Sequence, residues 1–126
     1  MIAALVASAA GFCVPTAGAP GAVAVVDAYL QAYNRHDLKG IRRVIAADTK
    51  MGNPGHPLTG AEVVGRYETI VFKRFPKVKV EWLNRLSAGD LVAQTERVTG
   101  ISAKAETGLS VYRVRRGCIV EMSINQ

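Results

Sequence analysis

From Ala22 to Phe75 apolar side chains recur at helical spacing, and from Lys77 onward they alternate with polar ones. Over Ala22 to Asn34 the spacing puts Val26, Tyr29, Leu30 and Tyr33 on one helix face. Asp37 is a fitting cap for a second helix whose inner side carries Leu38, Ile41, Val44 and Ile45. Residues 48–60, with Gly52-Asn53-Pro54-Gly55, read as a loop. Thr59-Gly60-Ala61-Glu62 is a capping box that opens a third helix running to Phe75, with Val64, Tyr67, Val71 and Phe75 inward, and Pro76 ends it. Val78, Val80 and Trp82 then begin an alternating run. Further strands are expected at Leu91 to Thr99, Leu109 to Arg115 and Cys118 to Ile124, joined by turns at Ser87-Ala88-Gly89-Asp90 and Arg116-Gly117.

Helices first and an antiparallel meander afterwards is the α+β class: a curved, cone-shaped antiparallel sheet with three helices on its concave face. A chain of 126 residues, 49% of them hydrophobic, has room for one such domain with a real core. Residues 1–19 stand apart. They carry no charged side chain, hold an apolar stretch from Ile2 to Val14, and end in Ala17-Gly18-Ala19, a pattern of the kind cut by signal peptidase. The expected division is a signal peptide or N-terminal extension over 1–19 and the domain over 20–126. The protein is then secreted or periplasmic if the segment is cleaved, and cytoplasmic otherwise. The stretch is too short to span a bilayer, so no membrane partner is expected.

The formal charge of +6 falls on residues 20–126, yet its basic residues are scattered and no nucleic-acid motif accompanies them, so nucleic acid is not an expected partner. Cys13 lies in the N-terminal segment and Cys118 in the last strand. Cleavage after Ala19 would leave one free thiol and no internal disulfide. No Cys, His and Asp cluster has metal-ligand spacing and no phosphate-binding loop occurs, so neither metal nor cofactor is expected. His36 reads as a residue of the helix junction, and His56 as a loop residue near the mouth of a pocket.

Alternation along the strands is expected to turn Ala93, Thr95, Arg97 and Thr99 to one face, with Ser110, Tyr112 and Val114 on the corresponding face of the next strand and Met122 and Ile124 joining them. A largely apolar pocket with a few hydroxyls and one guanidinium is the usual composition of a small-molecule site. Each polar member also has a structural reading. Tyr29 and Tyr112 fit as core aromatics with satisfied hydroxyls, and Arg97 as the partner of a helix carboxylate such as Asp27 or Glu68.

The helix ending in Asn34-Arg35-His36-Asp37-Leu38, the element order and the lengths together resemble the nuclear-transport-factor-2-like, or SnoaL-like, superfamily over about residues 22–124. Within it the chain resembles ketosteroid isomerase, whose oxyanion tyrosine falls on Tyr29. That enzyme's basic Asp falls on Asn53 and its protonated Asp on Ser110. It also resembles limonene-epoxide hydrolase through Thr95-Glu96-Arg97-Val98-Thr99. There Arg97 and Asn53 match, but the two catalytic aspartates fall on Thr99 and Ile124 and the water-holding tyrosine on Met51. A carboxamide at Asn53 cannot accept a proton at neutral pH, so turnover of a β,γ-unsaturated ketosteroid is not expected.

The resemblance implies a small, mainly apolar ligand held by Tyr29, Asn53, Arg97, Thr99, Ser110, Tyr112, Met122 and Ile124. An anionic or carbonyl oxygen on it would be aimed at Arg97. Candidate catalytic residues are Tyr29, Asn53 and Arg97. Two functions stay open: a cyclase, isomerase or hydrolase of a polyketide-, steroid- or terpene-like substrate, and a catalytically silent binding domain, with a homodimer expected in either case. The first requires a carboxylate or histidine inside the cone, for which Asp27, Glu68 and His56 are the candidates.

Overall fold

The computed structural model describes residues 11–125. Helix α1 (Ala22–Asn34) buries Val25, Val26, Tyr29, Leu30, Ala32 and Tyr33, the stripe that its apolar spacing requires. Its end is latched to the sheet by Asn34, whose side chain donates to the Val80 carbonyl at 2.9 Å and accepts the Val80 N–H at 2.8 Å. The chain turns through His36, which takes a left-handed conformation with its ring stacked 4.2 Å from Phe72. Asp37 then accepts the Gly40 N–H and caps α2 (Leu38–Val44).

Helix α3 (Gly60–Arg66) opens on the expected capping box between Thr59 and Glu62. Backbone hydrogen bonding holds the Glu62 carboxyl below its usual range. The helix continues through a π-helical turn, Tyr67–Val71, into a last turn, Phe72–Arg74. The wider turn sets Tyr67 and Phe72 side by side, and both pack edge-on against Tyr33.

Six strands form one sheet in the order β2-β1-β6-β5-β4-β3, from β1 (Ile45–Gly52), β2 (Leu58–Thr59), β3 (Lys79–Ala88), β4 (Leu91–Thr99), β5 (Glu106–Arg115) and β6 (Cys118–Asn125). All pairs are antiparallel except β1 with β6. The hairpins lie where the sequence puts them. Gly89 takes a left-handed φ at the first, and Arg116 and Gly117 both do at the second, as a two-residue hairpin turn demands.

Strand β1 is the part that the pattern misses. Ile45 begins a strand rather than ending α2, and residues 48–52 belong to that strand instead of a loop. Ala46-Ala47-Asp48 carries no β signal of its own. The strand exists because it pairs in parallel with a partner more than seventy residues away, and Thr49 Oγ1 stitches the two by accepting the Ala46 N–H and donating to the Ile119 carbonyl. Gly60 lets α3 approach this strand, since a Cβ there would lie 2.2 Å from the Ala46 carbonyl oxygen.

The cysteines add a link across the fold. Cys13 and Cys118 form a disulfide, their Cα atoms 5.8 Å apart. The segment before α1 folds back along the sheet, with the Cys13 N–H on the Ile45 carbonyl, the Thr16 N–H on the Arg116 carbonyl, and Phe12 against the core. The sequence offered no distance between two cysteines 105 residues apart. Among the described residues no helix is long and apolar enough to cross a membrane.

Candidate functional site

Strand β4 supplies the buried carboxylate of the cone. Its buried positions are Val92, Gln94 and Glu96, while Thr95 is half-buried and Arg97 and Thr99 are exposed. The inward register is therefore one residue away from the expected Ala93, Thr95, Arg97 and Thr99. On β5 the expected face holds, with Ser110, Tyr112 and Val114 buried, Ser110 opposite Gln94 and Tyr112 opposite Val92.

The cone holds an open-mouthed cavity of about 160 Å³. Tyr29, Leu30 and Tyr33 of α1 line it together with Tyr67 of the π turn, Val80, Glu96 and Val98 of β3 and β4, and Ser110, Tyr112, Met122 and Ile124 of β5 and β6. Ile101, Glu106, Thr107 and Gly108 form the rim. Among the described residues no lysine, arginine or histidine lines it.

The Glu96 carboxylate, 8% exposed, is the centre of a hydrogen-bond network. Ser110 Oγ donates to its Oε1 at 2.7 Å. Tyr112 Oη and Gln94 Nε2 each donate to Oε2 at 2.6 Å. A carboxylate withdrawn from water needs such partners, because an unpaired one costs several kcal/mol. Three donors fill three of its roughly four lone-pair positions, which leaves one on Oε1.

Opposite stand the tyrosines. Tyr29 and Tyr67 share a hydroxyl–hydroxyl hydrogen bond of 2.7 Å, and the Tyr29 ring lies 6.0 Å from that of Tyr112. Burial, then the neighbouring Tyr67 and Tyr112, pushes the Tyr29 hydroxyl well above its ordinary pKa. Burial and then the Glu96 charge do the same to Tyr112, and burial does so to Tyr67. Tyr33 is raised to about 12 by burial and then by Glu96. All four are phenols at physiological pH, able to donate.

Of the residues expected at the site, Tyr29, Ser110, Tyr112, Met122 and Ile124 line the cavity and Asn53, Arg97 and Thr99 do not. Arg97 lies on the outer face and pairs with Glu81 of the neighbouring strand, Nε to Oε1 at 2.7 Å, rather than with a helix carboxylate. Asn53 closes its own turn by accepting the Gly55 N–H at 2.9 Å, beside a separate surface depression with Lys50 and Arg113. Thr99 is an exposed residue at the end of β4.

None of the three expected acid or base candidates enters the cone. Asp27 binds Arg85, Glu68 lies near Arg42 at the surface, and His56 is exposed in its loop. Glu96 was the residue missed. A strand whose inner face carries Gln and Glu has no clean apolar alternation. The available signal was that Val92 and Val98, the branched apolar residues of β4, bracket Gln94 and Glu96 in the same phase.

Solved structures with the same architecture include an uncharacterized cystatin-fold protein from Novosphingobium aromaticivorans, at 15% identity and a TM-score of 0.77 over 85% of this chain and 99% of that one. A candidate polyketide cyclase from Streptomyces antibioticus, IdmH, is 23% identical with a TM-score of 0.70 over 81% of this chain and 88% of its own. An epoxide hydrolase from M. tuberculosis, similar to the limonene-epoxide type, is 17% identical with a TM-score of 0.69 over 82% and 80%. At these identities the likeness is one of fold. No protein among those with curated descriptions matches the chain. The SnoaL-like domain family matches residues 26–122, more than three-quarters of the sequence, and with the helix-backed cone around a polar-floored cavity this makes the chain a member of the SnoaL-like family.

Proposed function

We propose that the chain binds a small, mainly apolar organic molecule with a carbonyl group inside the cone, and that Glu96 moves a proton on the carbon beside that carbonyl. The observation that carries this reading is a buried carboxylate on the cavity wall with one acceptor position free and neutral phenols across from it. Glu96 takes the proton, the electron pair moves onto the carbonyl oxygen, and a phenol such as Tyr29 donates a hydrogen bond to that oxygen. Return of the proton to a different carbon is isomerisation, and attack of the enolate on a second carbonyl of the same molecule is cyclisation. A wall without cations argues for a neutral ligand. A cavity of about 160 Å³, open at its rim, has room inside for a ligand portion about the size of a single ring. The same three donors would equally suit a carboxylate that only holds the cone together, so a silent binding domain is the second reading.

3-Cyclohexenone fits the volume and reports the chemistry. The intact protein should convert it to the conjugated 2-enone, followed by ultraviolet absorbance, and Glu96→Gln should lower that rate by about 100-fold or more. Conversion at the wild-type rate by Glu96→Gln removes Glu96 as the base. Binding of the enone without any conversion by either protein supports the second reading.

We also propose that the protein acts as a homodimer in an oxidising compartment, secreted or periplasmic. Leu86, Ala93, Val111 and Leu109 give the outer sheet face an apolar area, with Leu86 77% exposed. The Cys13–Cys118 bond suits an oxidising compartment, and a cut after Ala19 would remove Cys13, so any cleavage would fall upstream of it. Native, non-reducing mass spectrometry of the protein recovered separately from the cytoplasmic and exported fractions tests both. The expected species is a dimer whose chains retain Cys13 and lack two hydrogens. A chain starting at Pro20 with a free Cys118 thiol would refute the retained disulfide, recovery of the protein from the cytoplasmic fraction alone would refute the location, and a monomer would refute the dimer.

A further inference from the structure

The network around Glu96 extends beyond the cavity wall, along a path set by an irregularity in β3. Trp82 stands opposite Glu96 and Asn84 opposite Thr95, so Leu83 is an extra residue in β3. In a regular ladder residue 84 would face Gln94. The bulge brings Arg85 there instead and turns it to the inner side of the sheet. Arg85 is largely buried, its side chain 11% exposed, with the guanidinium 4.2 Å over the Trp82 ring. Its Nε donates to Gln94 Oε1 at 2.8 Å and its Nη2 to Asp27 Oδ1 of α1 at 2.7 Å. Gln94 Nε2 in turn donates to Glu96 Oε2.

A guanidinium has donors only, so the Gln94 oxygen must face Arg85 and its amide hydrogens must face Glu96. With Tyr112 on the same oxygen, Oε2 is filled, and the free acceptor position lies on Oε1. Resting on the reading of Glu96 as the base, we propose that Arg85 is a positioning residue: acting through Gln94, it fixes which Glu96 oxygen is left to take the proton and supplies the positive charge that offsets the buried carboxylate. Asp27 holds the guanidinium in place from α1. The other groups facing Glu96 are the phenols Tyr29 and Tyr33 of α1, Tyr67 of the π turn and Tyr112 of β5, with Glu106 at the rim. None of them is a cation, so the charge arrives by way of Arg85.

The test does not depend on turnover. In the full-length protein labelled with 13C, the side-chain carboxyl resonance of Glu96, assigned by its loss in Glu96→Gln, is followed against pH. Removing the cation disfavours the ionised form, so Arg85→Met should move the midpoint up by about one unit, whereas Arg85→Lys should hold it within a few tenths of the wild type. Asp27→Asn, at a half-exposed position, should keep the fold and, because it removes an anion and leaves the Arg85 cation, should move the midpoint down instead, which covers the case in which Arg85→Met does not fold. The acid limb of the cyclohexenone rate should move with the midpoint, at a nearly unchanged KM. Equal midpoints for wild type, Arg85→Met and Asp27→Asn would overturn the proposal. Shifted midpoints in a protein that converts no enone would leave the Arg85 relay standing and remove the proton-transfer reading.

Discussion

Glu96 and Arg97 are adjacent on β4 and opposite in charge, and the two faces of the strand treat them differently. Glu96 is buried and meets three donors from two strands, one of them braced by Arg85 and Asp27. Arg97 stands in solvent with one partner, Glu81, its side chain 45% exposed and that of Glu81 57%. A buried charge is tolerated only when its neighbours are organised around it, whereas an exposed pair needs nothing more than water and a nearby opposite charge. The polar groups that could carry chemistry therefore lie on the face where burying them demanded partners. The face that looks familiar in the sequence is the one where polar groups cost little.

The larger effect expected from this contrast is on the pH dependence of stability, because only the inner face holds tyrosines next to a buried carboxylate. Tyr33 has its pKa raised from the ordinary 10 to about 12. Below pH 10 both folded and unfolded chains keep the proton, and stability does not depend on this group. Between pH 10 and 12 the unfolded chain releases it while the folded one does not, so stability falls as pH rises through that window, by roughly 2 to 3 kcal/mol for two units. Urea unfolding of wild type and Tyr33→Phe at pH 9 and pH 12 isolates the contribution. The phenylalanine variant should lose less on going to pH 12. An equal loss in the two proteins would mean that the inner face is more open to water than its burial indicates.

The fold was legible because its signals are local. The apolar stripe of α1, the caps at Asp37 and Thr59, the halt at Pro76 and the two hairpin turns each follow from a few neighbouring residues. What was not legible depends on partners far away in sequence. Strand β1 needs β6, Cys13 needs Cys118, and the direction of Glu96 needs Ser110 and Tyr112 of the next strand to satisfy it. Tyr29 and Tyr112 could be assigned to the interior because aromatic residues there announce themselves by hydrophobicity. Glu96 could not, since glutamate reads as surface until its donors are known. The likeness of Thr95-Glu96-Arg97-Val98-Thr99 to a hydrolase strand compounded this. It drew attention to the arginine, although in a period of two a slip of one residue exchanges the faces.

The smallest effect belongs to Arg97 and sharpens the contrast most directly. An exposed ion pair between neighbouring strands contributes about 0 to 1 kcal/mol, and Arg97 is outside the cavity, so Arg97→Met should move the urea midpoint only slightly and leave enone conversion within about twofold of wild type. The outer position also removes the reason to expect a ligand anion at this residue. Benzoate and benzyl alcohol, matched in size and different in charge, should keep the same order of affinity in wild type and Arg97→Met when titrated by calorimetry. If the variant lost benzoate binding selectively, Arg97 would have to reach the ligand, and the face of β4 that turns toward the cone in solution would be the odd-numbered one.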